Sequence, residues 1–306
     1  NEKVTPLQMA LRALPPILFG KNHAYGVPLT GSGTEEAVTK LTRDDTIGYH
    51  GDWFKPNNST LIVVGDTTLA EIKPKLEALF HGWDTGALPS KNLEPVARPV
   101  KPTIYLVDKP GAQQSVVVAG TVAAPAEAET EVAFETMNTI FGGTFGARLN
   151  MNLREDKHWS YGAGSVLYAA RAQRPFLAYA SVQADKTADS IAEMLKELSG
   201  ITDTKPVTPE ELEKVKQQLI FELPGAYETM NAIGNLLGDL LQLGLPLNFY
   251  DKYVSRVSAL TTADIEQAAQ QILPPKHMLW MVVGDRSVVE KPLRDLGIGE
   301  IVSIAV

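Results

Sequence analysis

The chain has 306 residues, 44% apolar and 21% charged, with 24 Gly and 20 Pro, a globular profile that excludes disordered, collagen-like and low-complexity proteins. Its formal charge of 28 − 36 = −8 argues against nucleic acid or an anionic membrane as the main partner. The absence of Cys removes thiol catalysis, Cys-based zinc fingers, disulfides and iron–sulfur centres, and leaves the redox compartment open.

In chain order, Glu2 to Phe19 has a helical pattern, and Thr42-Arg43-Asp44-Asp45 opens a second helix with a Thr cap and an acidic first turn. Leu61 to Asp66 is a short apolar run ending in a turn, predicted as a buried strand. A helix follows over Leu69 to Phe80, interrupted by Pro74. Residues 90–103 hold Pro95, Pro99 and Pro102; because proline fixes φ and withholds a donor, this reads as an extended linker. Beyond it, strands are predicted at Ile104 to Asp108 and Ser115 to Ala123 around a Lys109-Pro110-Gly111 turn. Helices follow at Glu127 to Ile140 and Ala147 to Lys157, then strands at Tyr161 to Ala170 and Phe176 to Val182. Helical patterns dominate at Thr187 to Leu198, Pro209 to Glu222, Ala226 to Leu243, Phe249 to Val257 and Thr262 to Ile272. The chain closes with strand Met278 to Val283, helix Val288 to Leu296 and strand Glu300 to Ala305.

No apolar run reaches the roughly 18 to 20 residues of a membrane helix. The longest, Ile233 to Leu247, is broken by Gly234, Gly238, Asp239 and Gly244. The first residue is Asn1, and neither a signal peptide nor a basic leader follows. The expectation is a processed chain or an excised fragment.

One internal repeat is legible. Leu41-Thr42 precedes Val63-Val64-Gly65-Asp66, and Leu260-Thr261 precedes Val282-Val283-Gly284-Asp285; from Leu41 to Gly65 and from Leu260 to Gly284 the separation is 24 positions in each copy. An acidic residue follows each Leu-Thr (Asp44, Asp264), and a Lys-, Pro- and Leu-bearing helix follows each Gly-Asp. This is the signature of one duplicated α/β module. Only 40 residues precede the first Leu41, whereas the second copy has a much longer lead from the linker, so the first module is expected to be truncated at its start.

The sequence holds none of the common catalytic motifs. The five histidines (His23, His50, His81, His158, His277) are never closer than 27 positions, so neither H-E-x-x-H nor H-x-x-E-H exists in the chain, and a helix-borne zinc pair is excluded. Neither Gly31-Ser32-Gly33 nor Gly162-Ala163-Gly164-Ser165 makes a nucleophile elbow. Gly142-Gly143-Thr144-Phe145-Gly146 lacks the Lys-Ser/Thr of a P-loop; it reads as a tight reversal before a helix. Adjacent Glu155 and Asp156 point in different directions on a helix and make a poor acid–base pair. Arg154 near a helix end and Tyr161 seven positions on, where a strand begins, are two donors that could meet a carbonyl or its oxyanion at a helix–strand corner. The alternative is that Arg154 pairs with a neighbouring carboxylate and Tyr161 packs in the core.

Gly142 to Leu149, Leu153-Arg154-Glu155 and Ser160-Tyr161-Gly162, together with His23-Ala24-Tyr25-Gly26, Leu41 to Asp45, His50 to Phe54, Lys55-Pro56-Asn57-Asn58 and Val63 to Asp66, resemble the insulinase–pitrilysin family of zinc peptidases. That family includes processing peptidases and core proteins of respiratory complexes. The resemblance covers almost the whole chain in the family's order. It implies an α/β (α+β) fold with an antiparallel-rich sheet packed by helices on one side, in duplicated domains: residues 1–89 as the C-terminal part of a first peptidase-type domain, 90–103 as linker, and 104–306 as a complete second domain. The family's inverted zinc motif and downstream Glu are missing here, so the resemblance implies no catalytic residue, metal ligand or cofactor within this chain, and zinc in a complementary half. It also implies that Arg154 and Tyr161 match the family's Arg–Tyr pair, which reaches toward the substrate backbone. The expected partners are a zinc-bearing half or subunit of the same peptidase and a peptide substrate. Three readings follow: a substrate-clamping half that closes a chamber, a non-enzymatic scaffold or assembly subunit in which the pair is a remnant, and an autonomous enzyme with an unfamiliar site. The composition is compatible with an exported bacterial protein, periplasmic or secreted.

Overall fold

Residues 114–123, Gln-Ser-Val-Val-Val-Ala-Gly-Thr-Val-Ala, are small and β-branched with almost no polar interruption. Successive strand side chains point to opposite faces, so such a run must be covered on both sides. In the computed structural model, which describes residues 2–306, that is where it lies. Strands β1 (Thr103–Asp108), β2 (Gln114–Ala123), β3 (Ser160–Leu167), β4 (Arg174–Gln183), β5 (Leu279–Gly284) and β6 (Glu300–Ile304) form one sheet in the order β3-β4-β2-β5-β1-β6. The β3/β4, β4/β2 and β2/β5 pairings are antiparallel, and β5/β1 and β1/β6 parallel. The mixed α/β class and the antiparallel excess agree with the sequence reading.

The helices are α1 (Pro6–Phe19), α2 (Glu35–Lys40), α3 (Arg43–Trp53), α4 (Leu69–Leu79), α5 (Glu131–Asn138), α6 (Arg148–Asn150), α7 (Thr187–Gly200), α8 (Pro209–Glu222), α9 (Met230–Leu243), α10 (Tyr253–Ala259), α11 (Thr262–Ile272) and α12 (Arg286–Leu296). Val117, Ala119, Trp280 and Val282 face one core with Phe134 and Met137 of α5, Ile191 and Met194 of α7 and Ala268 and Ile272 of α11. The alternate residues Val116, Val118, Val122, Met281 and Val283 face a second core, which Leu14, Leu18 and Phe19 of α1 complete. Leu14 crosses the sheet over Gly120, where a Cβ would come within 2.9 Å of Leu14 Cδ2. Thus α1, although it precedes the prolines, is buried against the sheet that follows them. The proline segment is fastened as it passes: Arg98 Nε donates to the Val122 carbonyl at 2.8 Å, and Asn92 Nδ2 to the Asn22 carbonyl at 2.9 Å.

The repeat is visible as structure. Thr42 Oγ1 accepts from Asp45 N–H at 3.3 Å while the Asp45 carboxylate accepts from Thr42 N–H at 2.8 Å, and Thr261 with Asp264 repeats the same two bonds at the same lengths. These reciprocal capping boxes satisfy two orphan donors at each helix start. The partner of Asp264 is therefore Asp45 rather than Asp44. Thr42 and Thr261 differ by 261 − 42 = 219 positions, as do the ends of α3 and α11 and the 3-10 turns Pro56–Asn58 and Pro275–His277.

The copies diverge after those turns. Leu61 to Asp66, expected as a buried strand, is not one: Leu61 and Val63 are 56% and 47% exposed. A strand forms only where a neighbour supplies its ladder. β5 finds β1 and β2 on its two sides, and no strand among the described residues pairs with 61–66. Two expected helices are also broken. Residues 131–138 continue as a π-helical turn at Thr139–Gly143, and the helix expected over 147–157 is the single turn α6 followed by a π-helical turn at Met151–Asp156.

The divergence has a measurable consequence. Leu273, buried to 1%, and Phe54, 54% exposed, occupy equivalent repeat positions. Leu273→Ala should cost about 2–5 kcal/mol of stability, and Phe54→Ala should stay within about 0.5 kcal/mol. Urea unfolding of the two variants checks this; equal losses would mean that the first copy is packed as the second is.

Candidate functional site

The segment linking α5 to β3 is shaped by close approach. Gly142 packs so tightly on β3 that a Cβ there would lie 2.6 Å from Ser165 N and 2.9 Å from Gly164 C. Ser165 Oγ donates to Asn138 Oδ1 at 2.7 Å. Asn150, buried among apolar neighbours, spans the gap: its Nδ2 donates to the Phe145 carbonyl at 2.8 Å and its Oδ1 accepts from Ala163 N–H at 3.2 Å. These contacts cover part of the otherwise open edge of β3 and hold the 142–146 turn in place.

Leu149 and Leu153 share the inward face and are fully buried, as their i,i+4 spacing predicts. The π-helical turn between 151 and 156 then carries one extra residue per turn, a feature that often accompanies functional positions. His158 reverses the chain with φ of +58°, in the left-handed region, and its Nδ1 lies 3.0 Å from the Arg154 carbonyl oxygen. Trp159 N–H donates to the Leu153 carbonyl at 3.0 Å. Arg154 and Tyr161 therefore stand on either side of one clamped corner.

At that corner β3 is bulged. Ser160 pairs with Val182 and Gly162 with Ser181, leaving Tyr161 without a cross-strand partner. The Ser160 hydroxyl fills the bulge, lying 2.6 Å from the Ser181 carbonyl oxygen and accepting from Gly162 N–H at 3.0 Å. Bulges re-aim side chains, and Tyr161 is 82% exposed. Arg154 lies with Cζ 4.7 Å from the ring centre of Phe145 and Nε 3.3 Å from Glu155 Oε1. Of the alternative reading, the Arg154 pairing is present and the core packing of Tyr161 is not. Phe145, 62% exposed at the tip of the turn, and Asn150 had no assigned role from sequence. An aromatic inside Gly-Gly-x-Phe-Gly and a polar residue on an inward helical face are the signals that mark them.

The histidines do not fit a metal. His23 is buried, stacks on Phe19 at 5.1 Å and accepts at Nδ1 from Tyr25 N–H; His50 stacks on Phe54 at 4.7 Å. His277 Nδ1 lies 2.6 Å from the Pro99 carbonyl oxygen, and His81 sits in an exposed turn after α4. No group of three His, Asp or Glu among the described residues is placed to hold an ion.

The fold and this corner define a mixed α/β domain in which no metal-holding group of side chains is found among the described residues. The sequence profile described as "Peptidase M16 inactive domain" matches residues 40–219, more than half of the chain; the chain belongs to that family. It is 23% identical over 262 residues to the uncharacterized zinc protease YmxG of Bacillus subtilis (strain 168), covering 85% of this chain and 62% of that protein. It is 21% identical over 235 residues to the non-peptidase homolog YmxG of Helicobacter pylori (strain ATCC 700392 / 26695), covering 76% and 53%. The chain thus spans about half to three fifths of these relatives. The crystal structure of a peptidase M16 inactive domain from Pseudomonas fluorescens superimposes with a TM-score of 0.82 at 20% identity, over 93% of this chain and 66% of that one, and shows the same fold.

Gly142→Ala should destabilise the protein by about 1–3 kcal/mol, because strand backbone cannot give way as a flexible side chain can. Gly162→Ala, with nothing within 4 Å of the new methyl group, should change stability by no more than about 0.5 kcal/mol. Thermal or urea unfolding of the pair measures how firmly the turn is seated on β3.

Proposed function

We propose that this chain is the zinc-free portion of an M16-type peptidase, closing the chamber over a zinc-bearing half or subunit and holding the peptide through Arg154 and Tyr161. The observation that carries the reading is the bulge between Ser160 and Gly162, which turns Tyr161 out to solvent at the corner that follows Arg154. Tyr161 is turned out by a bulge, Arg154 lies on an exposed aromatic ring, and the whole corner is fastened by Gly142, Asn150 and Ser160. A guanidinium N–H and a phenolic O–H can both donate to one peptide carbonyl and gain strength as that oxygen becomes anionic. The net charge of −8 leaves Arg154 as a local cation in an acidic molecule, suited to a carbonyl rather than to a polyanion. Zinc and the hydrolytic step belong, in this reading, to the complementary half.

A scaffold role has one observation in its favour: Glu155 already engages Arg154. The two readings separate in the assembled peptidase. Arg154→Ala should lower kcat/KM for peptide by about 10- to 100-fold and Tyr161→Phe by about 3- to 10-fold, the loss of a charged and of a neutral hydrogen bond. Zinc content and melting temperature should stay unchanged. Wild-type turnover in both variants would leave the scaffold reading standing.

The isolated 306-residue chain should purify with far less than one zinc per molecule and show no peptide turnover until its zinc-bearing half is added. Metal analysis and a quenched-fluorescent peptide assay check this. Stoichiometric zinc with turnover by the chain alone would overturn the complementary-half reading.

A further inference from the structure

A cavity of about 350 Å3 opens beside the turn that carries Phe145. Ile140, Ala147, Met151 and Val215 give it an apolar lining, and its rim carries six charged side chains. Five of them are already committed. Arg148, buried, donates to both Glu211 oxygens at 2.9 and 2.7 Å and to the Lys205 and Pro206 carbonyls. Lys205 pairs with Glu197 at 3.0 Å, and Asp156 with Lys157 at 2.8 Å. Lys214, on α8, is the sixth, and no carboxylate among the described residues lies within ion-pair distance of it. Its Nζ stands 3.3 Å from the point a Cβ on Gly146 would occupy, so the ammonium rests on the same turn, one residue from the ring that Arg154 covers.

We infer that this cavity receives an acidic side chain, Asp or Glu, of a bound peptide, its carboxylate meeting Lys214 and its methylenes lying on Met151 and Val215; the inference rests on the peptide-holding reading above. The six rim charges balance three against three, but Asp156 is paired from outside the rim by Lys157, which leaves Lys214 without a counter-charge. Lys214 is exposed, so its charge is screened by water and its pairing with a carboxylate is of surface strength. Arg154 lies over Phe145 and Lys214 over Gly146, adjacent residues of one turn. A peptide whose carbonyl meets Arg154 would offer a neighbouring side chain to the cavity. Elsewhere the charge of −8 repels acidic peptides, so a preference for them must be local.

The test is binding of three peptides, identical except for a central Glu, Gln or Lys, to the 306-residue chain, followed by fluorescence anisotropy and by the methyl resonance of Met151, which is 45% exposed at the cavity. The Glu peptide should bind about 2- to 5-fold more tightly than the Gln peptide, the range of a partly exposed ion pair, and should shift the Met151 resonance saturably. Lys214→Ala should abolish the difference and Lys214→Glu should invert it in favour of Lys. Both changes are at an exposed position and should leave the melting temperature in place. Equal Glu and Gln affinities in the wild type, or a preference that survives Lys214→Ala, would overturn the inference. If Arg154→Ala weakens all three peptides while no acidic preference exists, the cavity inference alone fails. If the preference depends on Lys214 while Arg154→Ala and Tyr161→Phe change nothing, the Arg–Tyr reading fails and the cavity stands. Failure of all three peptides to bind the chain would overturn the cavity inference, while the peptide-holding reading stands or falls on kcat/KM in the assembled peptidase.

Discussion

Everything in this fold follows from burying β2 and β5 on both faces. Strands of Val, Ala, Met and Trp with so few polar positions leave no side of the sheet for water, and one layer of helices satisfies only one side. α5, α7 and α11 cover the first, and α1 is drafted from before the proline segment to cover the second. Gly120 makes room for Leu14 at the centre of that contact. The edge strand β3 is then fixed relative to the core, and the corner carrying Arg154 and Tyr161 is fixed relative to β3.

What was legible in the sequence was what is decided locally. The Thr cap and acidic first turn at Thr42 are written in four residues, and a reciprocal capping box formed there and again at Thr261/Asp264 although one copy is packed and the other is not. The strand at Leu61 to Asp66 carries the same local signals as β5 and failed, because hydrogen-bond partners, not propensity, decide whether an extended run becomes a strand. The π-helical turns escaped for a related reason. Their apolar spacing is close to that of an α-helix, and the close approach of Gly142 to β3 that accompanies them involves residues more than twenty positions apart.

The candidate site shows the same division. The helix–strand corner with a cation and a phenol seven residues apart could be read directly. That the phenol would face outward could not, since the bulge depends on the register of β3 against β4. Phe145, Asn150 and Lys214 belong to the corner through contacts across the chain: Arg154 over the ring, Asn150 spanning the turn and the strand, Lys214 over Gly146. The site is thus assembled from one sequence motif and a set of tertiary neighbours that no motif contains.

The docking of α1 has a mechanical consequence. Because Leu14, Leu18 and Phe19 are buried in the core of the part that follows the prolines, the segment around Pro95 to Pro102 is not the only tether between the two parts. A nick there would leave the N-terminal piece bound through Leu14, Leu18 and Phe19, as a two-fragment complex held by apolar contact. Pulling the pieces apart would require opening the second core, so the molecule resists separation far from the point where its chain is thinnest.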